Sequence, residues 1–289
     1  MLVKGFEIGV IIIIDLTYDD DRKSGRRIDD AIFDSINITG SNLERRYVKC
    51  QTHKDFFNVI SSIKNDIINN DLYPMIHIEG HGSQDAKALC FPNDKNLNYA
   101  RVIKCFREIN ILCNNNLFVT SGACKFAYSL TRDISISKPC AVFGMLAPEQ
   151  IITDLIMEQG FLGFYNTFIQ TGGCLISADK EFLKYVNGKD YSLILSESLF
   201  DDSVKNSLFE RFTGKSKYIT RESLLTTCMK FELNRLSVNQ TRKLIKSKSK
   251  PISFNVIQKN FKIFLMAESC NNNMSRFNLY EKNYISLLL

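Results

Sequence analysis

Two short segments of the chain carry residue types that could do covalent chemistry together. Met75-Ile76-His77-Ile78-Glu79 runs into Gly80-His81-Gly82-Ser83, and Asn116-Leu117-Phe118-Val119-Thr120 runs into Ser121-Gly122-Ala123-Cys124. Each is an apolar run of strand length ending in small residues around one reactive side chain. A thiol that attacks a carbonyl needs a near-thiolate sulfur, a group to handle protons, and donors for the tetrahedral oxyanion. Cys124 supplies the sulfur, and Gly122 and Ala123 leave room around it. Lys125 to Leu130 reads as the start of a helix, whose N-terminus favours a thiolate. His81 supplies the proton-handling group. Gly82 has no side chain to block a substrate carbonyl, and the Gly82 and Cys124 amides are natural oxyanion donors.

The other reactive side chains have plainer readings. His77 falls inside an apolar run, where a histidine packs rather than reacts. His53 opens a predicted helix and carries no other signal. The nine cysteines are an odd number with no Cys-x-x-Cys pair, so neither a disulfide framework nor a zinc site is expected. The eight besides Cys124 read as small hydrophobes, and a reducing cytoplasm fits them. Glu79 either orients His81 from inside the loop or serves as a capping or solvated charge. Asp19-Asp20-Asp21 reads as a solvated loop or processing site before a calcium site. Arg22, Arg26 and Arg27, with Glu149 and Asp154, are candidates to line a substrate cleft, and solvated positions explain them equally well. No metal and no organic cofactor is expected.

Elements that would position these residues follow from the apolar pattern. Residues 8–17 are a β-branched run, as a strand buried on both faces should be. Strands are predicted also at 45–50, 74–80, 116–121 and 140–144, and a hairpin around Ala88 to Phe91. Helices are predicted from Asp29 to Ile38, after a Thr52 cap with Phe56, Ile60, Ile63 and Ile67 on one face, and from Tyr99 to Ile109. A further helix, Ile151 to Gln170, shows apolar residues at 152, 155, 156, 162, 165 and 169 and ends at Gly172-Gly173. Strands alternating with helices predict an α/β fold with a mostly parallel, doubly wound sheet and helices on both faces. Right-handed crossovers would bring both reactive strand ends to one edge of it.

Composition limits the alternatives. With 289 residues, 45% of them hydrophobic, the chain can bury a sizeable core. A net charge of +6 from 37 basic and 31 acidic residues is too mild to argue for nucleic acid. Val10 to Ile14 is too short to span a bilayer and is flanked by Glu7 and Asp15, so no membrane association is expected. The pattern loosens after about residue 200. Arg242 to Lys250 reads as a solvated linker before Pro251, and Asn271-Asn272-Asn273 as a loop.

The segments Ile76 to Ser83 and Phe118 to Cys124 resemble the paired strand ends of the caspase-haemoglobinase fold. Phe143-Gly144, Pro148-Glu149-Gln150, Phe164-Tyr165 and Gly172 look most like the CHAT group of caspase-like peptidases. The resemblance covers about residues 8–190. With the looser pattern after residue 200, the reading is a caspase-like peptidase domain over 1–200 followed by a C-terminal extension over 201–289. The resemblance also implies a Cys124–His81 dyad that cuts a protein or peptide substrate through an acyl-enzyme, with Gly82 and Cys124 amides at the oxyanion. A role in bacterial defence or regulated cell death, with an activating partner, is implied in the same way. Caspases carry Gln, and metacaspases Asp, two residues before the nucleophile; this chain has Gly122. Caspases also place an arginine for an acidic P1 side chain in the loop after the first strand, where Arg22, Arg26 and Arg27 stand. The tryptophan common in the CHAT loop is missing, since the chain has none. Two other readings compete. One is a catalytically silent caspase-like adaptor. The other is a Rossmann-like nucleotide enzyme, which lacks its Gly-x-Gly-x-x-Gly after the first strand.

Overall fold

The computed structural model describes residues 6–132, 134–204, 222, 225–226, 237–248 and 254–277. Its centre is β1 (Val10–Asp15), buried at all six positions. α1 (Ser24–Thr39) leads from it to β2 (Glu44–Lys49), and α2 (His53–Asn70) leads on to β3 (Pro74–Glu79). A small hairpin, β4 (Ala88–Leu89) with β5 (Leu97–Asn98), precedes α3 (Tyr99–Leu112) and β6 (Phe118–Ser121). Then come α4 (Phe126–Arg132), β7 (Gly144–Pro148), α5 (Asp154–Gln170), α6 (Leu175–Phe182) and β8 (Tyr191–Leu195).

The six-stranded sheet runs β2-β1-β3-β6-β7-β8, parallel throughout except for β8. Alternate side chains of the buried strands feed two cores. Ile12, Ile14, Ile76, Ile78 and Val119 pack with Phe56 and Ile60 of α2 and Phe106 of α3. Ile11, Ile13, Met75 and Phe118 pack on the opposite face with Ile28 and Ile32 of α1 and Phe161 and Phe164 of α5. A sheet covered on both faces explains why its strands are continuously apolar. The chain leaves β1 toward β2 on one side and returns to β3 on the other. The crevice beyond the carboxyl ends of β1 and β3 is therefore the topological switch point, where such sheets bind ligands.

The structure corrects several of the expectations. The fifth parallel strand is Gly144–Pro148, not 140–144. Cys140 to Phe143 is buried but serves as lead-in, and pairing with β6 begins where Gly144 admits the Phe118 ring; a Cβ there would lie 2.7 Å from it. α5 turns Met157, Phe161, Phe164 and Phe168 inward and leaves Leu155 and Ile156 exposed, so its buried face is rotated from the predicted one. Its C-terminus does close on glycines, with Gly172 and Gly173 both at positive φ and the Gly173 amide donating to the Phe168 carbonyl. The basic run predicted as a linker belongs, as far as it is described, to α8 (Val238–Lys248), and Asn271-Asn272-Asn273 opens a helix, α10 (Asn271–Arg276).

α7 (Ser196–Val204) and α9 (Phe254–Phe264) add Phe200, Phe261 and Phe264 to the α5-side core. The Cys140 amide donates to the Phe264 carbonyl at 2.9 Å. From α10, Arg276 stacks over the Phe143 ring at 4.3 Å and donates to the Asn115 carbonyl at 3.0 Å.

Candidate active site

β3 ends in a sharp change of direction. Gly80 has φ +152°, and a Cβ there would meet Leu16 at 2.9 Å, so only glycine fits beside the end of β1. Beyond it the chain pairs with the small hairpin: the Ser83 amide donates to the Ala88 carbonyl and the Cys90 amide to the His81 carbonyl. The half-exposed His81 ring lies 5.7 Å from the Tyr18 ring, and its Nε2 bonds Asp21 Oδ2 at 2.8 Å. Asp21 also accepts from the Tyr18 amide, which fixes the carboxylate in place. A carboxylate accepting from Nε2–H leaves Nδ1 as the basic nitrogen.

β6 ends beside it. The Gly122 amide donates to the Ile78 carbonyl, and the Ala123 amide to Ser121 Oγ. Cys124 then stands in a turn as a half-buried free thiol. Its amide does not open the following helix as expected. Lys125 intervenes at φ +60°, a left-handed conformation that a side chain adopts only when its surroundings impose it, and α4 begins at Phe126. The Lys125 ammonium donates to the Gln84 carbonyl, and the buried Tyr99 hydroxyl to the Cys124 carbonyl at 3.2 Å.

The two strand ends touch through their main chains. A Cβ on Gly82 would lie 2.2 Å from the Cys124 carbonyl oxygen and 2.4 Å from the Tyr99 hydroxyl. Neither the Gly82 nor the Cys124 amide donates to a protein acceptor among the described residues. Backbone N–H groups rarely go unpaired away from water, so two at one spot mark a place where an acceptor can sit. No hydrogen bond joins the His81 ring to the Cys124 thiol.

A buried polar chain underlies the crevice. His77 bonds Thr120 Oγ1 through Nδ1 at 2.8 Å and Glu79 Oε2 through Nε2 at 2.9 Å. Thr120 continues to the Tyr165 hydroxyl, and Ser24 Oγ donates to Glu79 Oε1 at 2.6 Å. His77 is thus fully buried and satisfied, as its place inside a strand suggested.

The three arginines do not form one patch. Arg22 and Arg27 both reach the buried Glu158 carboxylate of α5, at 3.2 and 2.8 Å. Arg26 turns away to Asp29, Asp30 and the Tyr47 ring. Sequence spacing placed them together because α1 was expected to start at Asp29. It starts at Ser24, and on a helix Arg26 and Arg27 diverge by 100°. Asp154 lines the crevice with Thr17, Asp21, Arg22, Ser24 and His81. Glu149 instead accepts from Ser192 at the outer strands.

Two residues of the site escaped the sequence reading. Asp21 is one of three adjacent aspartates, and nothing in their order selects it. Tyr99 looks like any aromatic opening a helix. Among the described residues, no group of three His, Cys, Asp or Glu side chains is placed to hold a metal ion, and no helix is long and apolar enough to cross a membrane. Burial pushes the Cys50, Cys113 and Cys140 thiols up to about 12. A hydrogen bond with Ser177 holds the Cys174 thiol below its usual range. Cys228 lies outside the described residues.

No family model matches the chain, and no curated protein matches it in sequence. Solved structures do match it, among them the Drosophila initiator caspase Dronc. That likeness has 11% identity and a TM-score of 0.45, over 64% of this chain and 78% of that one.

Proposed function

We propose that the chain is a caspase-like cysteine endopeptidase. The observation that carries the reading is a free thiol after β6 and a carboxylate-paired histidine after β3, on adjacent strand ends whose main chains touch at Gly82 and Cys124, both with unpartnered amides. Cys124 gives its proton to His81 as its Sγ attacks the scissile carbonyl, and the Gly82 and Cys124 amides hold the oxyanion of the tetrahedral intermediate. His81 protonates the leaving amine, which breaks the peptide bond and leaves an acyl-enzyme. It then takes a proton from water, whose oxygen attacks the acyl carbon and frees Cys124. Asp21 orients the ring and stabilises its charged form. This chemistry uses no metal and no organic cofactor.

Within the caspase-like peptidases the motifs Phe143-Gly144 and Phe164-Tyr165 favour the CHAT group. By that resemblance the enzyme works in the cytoplasm, in bacterial defence or regulated cell death, on one partner protein. We read residues 201–289 as an extension of this domain; its described residues Phe261, Phe264 and Phe277 pack into the α5-side core. For specificity, Asp154 is the stronger candidate among the proposed substrate-binding residues. Arg22 and Arg27 already face a carboxylate, and an acidic side chain would have to displace Glu158. The alternative, a silent adaptor, is favoured by one observation, the missing hydrogen bond between His81 and Cys124. Catalytic contacts are often loose until substrate arrives, so that gap does not decide against an enzyme.

The deciding experiment is a proteome-wide cleavage-site profile of the chain against its Cys124→Ala form. New termini that vanish in Cys124→Ala are expected. Identical profiles with and without the thiol, in lysate that supplies partners, would sink the peptidase reading. Asp21→Asn should lower the rate of that cleavage by about 10²-fold or more, because an amide cannot stabilise the charged ring. Asp21 is in a surface loop, so the thermal midpoint should hold. Full activity in Asp21→Asn would remove it from the mechanism.

A further inference from the structure

Glu79 lies between the two reactive strand ends and has no part in the chemistry above. It is the last residue of β3, two before His81, and its side chain is 6% exposed. Its carboxylate is held from both sides, by His77 Nε2 at 2.9 Å and by Ser24 Oγ at 2.6 Å. The same carboxylate fills the space beside Gly122, two residues before Cys124. A Cβ at position 122 would lie 2.7 Å from Glu79 Oε2 and 3.2 Å from its Cδ. Gly122 shows no positive φ, so backbone conformation does not explain the glycine. Gly25, at the start of α1, closes first on the Asp15 carboxylate, 3.0 Å from a Cβ there, and next on Glu79 Cβ at 3.3 Å.

We infer that Glu79, clamped by His77 and Ser24, is the positioning residue of the nucleophile loop, and that position 122 is glycine in order to admit its carboxylate. The clamp joins three elements, β3, α1 and the end of β6, around one buried group. A clamped carboxylate cannot swing aside, so it defines how closely Ser121 to Cys124 approach β3. Its effect on rate rests on the peptidase reading, while its effect on the thiol's surroundings does not.

The test is a rescue experiment. Gly122→Ala should lower Cys124-dependent cleavage by about 100-fold with KM within about twofold, because a nucleophile misplaced by an ångström loses that order of rate. Glu79→Asp keeps the acid and draws it back by one methylene. Added to Gly122→Ala, it should restore at least about tenfold of the loss. Alkylation of Cys124 by iodoacetamide, read peptide by peptide, should follow the same order: slowed in Gly122→Ala and recovered in the pair. The thermal midpoint should fall and recover likewise. A chain that cuts nothing but shows this alkylation order retains the inference while losing the peptidase reading. Should Gly122→Ala not fold, Glu79→Gln in its place is expected to change Cys124 alkylation by about fivefold or more when both chains are labelled well below their midpoints. A Gly122→Ala chain that alkylates and cleaves as wild type, a pair no better than Gly122→Ala alone, or an indifferent Glu79→Gln overturns it.

Discussion

His81→Ala should lower kcat/KM by about 10⁴-fold with the fold intact, while His77→Ala should leave a chain that unfolds early. The two residues are four apart in sequence, one inside β3 and the other past its sharp end at Gly80, and they differ in everything that matters to a proton. The His81 ring is about two-fifths exposed, reaches one carboxylate and leaves its second nitrogen open to the crevice. Removing it takes away the only imidazole among the described residues that stands at the strand ends. Losses of a nucleophile's base in such constellations run to about 10⁴-fold or more. His77 has both nitrogens engaged and no exposed surface. Cutting it leaves Glu79 and Thr120 each short of a hydrogen-bond partner in the interior, at about 1–3 kcal/mol for each unsatisfied group, and opens a cavity as well. Activity and urea midpoint measured on both variants separate the roles. A stable, inactive His77→Ala beside an active His81→Ala would reverse the assignment.

Gly82→Ala is expected to cut kcat by about 10²–10³-fold and to destabilise the chain as well. The new methyl would meet the Cys124 carbonyl and the Tyr99 hydroxyl well inside contact distance. Tyr99 is buried against Phe126 and cannot retreat, and the Cys124 carbonyl is backbone. The strand ends must therefore part, and both unpartnered amides move with them. Displacing oxyanion donors costs about 10²–10³-fold in kcat, and overpacking adds about 1–3 kcal/mol of instability. Tyr99→Phe in the same background removes only the hydroxyl, so it should recover little. Single-turnover rates and a thermal melt decide this. A Gly82→Ala chain with native rate and melting would mean that the two main chains are not in contact.

Much of this molecule is local in origin. The continuous β-branched runs at β1 and β3 demand a sheet covered on both sides, and alternation with helices makes it parallel. Thr52 with Asp55 forms the capping box that starts α2, a short-range pattern legible in four residues. His81, Gly82 and Cys124 are recognisable because a reactive group among glycines at the end of an apolar run is a local arrangement too. Strand phase was less legible. Cys140 to Phe143 is as apolar as Gly144 to Pro148, and only pairing with β6 chose between them. The buried face of α5 was hidden for a similar reason, since nearly every turn of it carries an apolar residue.

What only the tertiary structure decided is which charges pair. Asp21 meets His81 across 60 residues, Arg22 meets Glu158 across 136, and Ser24 meets Glu79 across 55. Each carboxylate looks the same in sequence as one that faces water. Its role depends on which neighbour remains when solvent is excluded, and that is set by how α1, α5 and the two strand ends close around the switch point. The residue types and their order determined that a thiol and an imidazole arrive at one edge of one sheet. Packing determined that the imidazole rests on Asp21, that the arginines rest on Glu158, and that Glu79 stands where a side chain at 122 would have been.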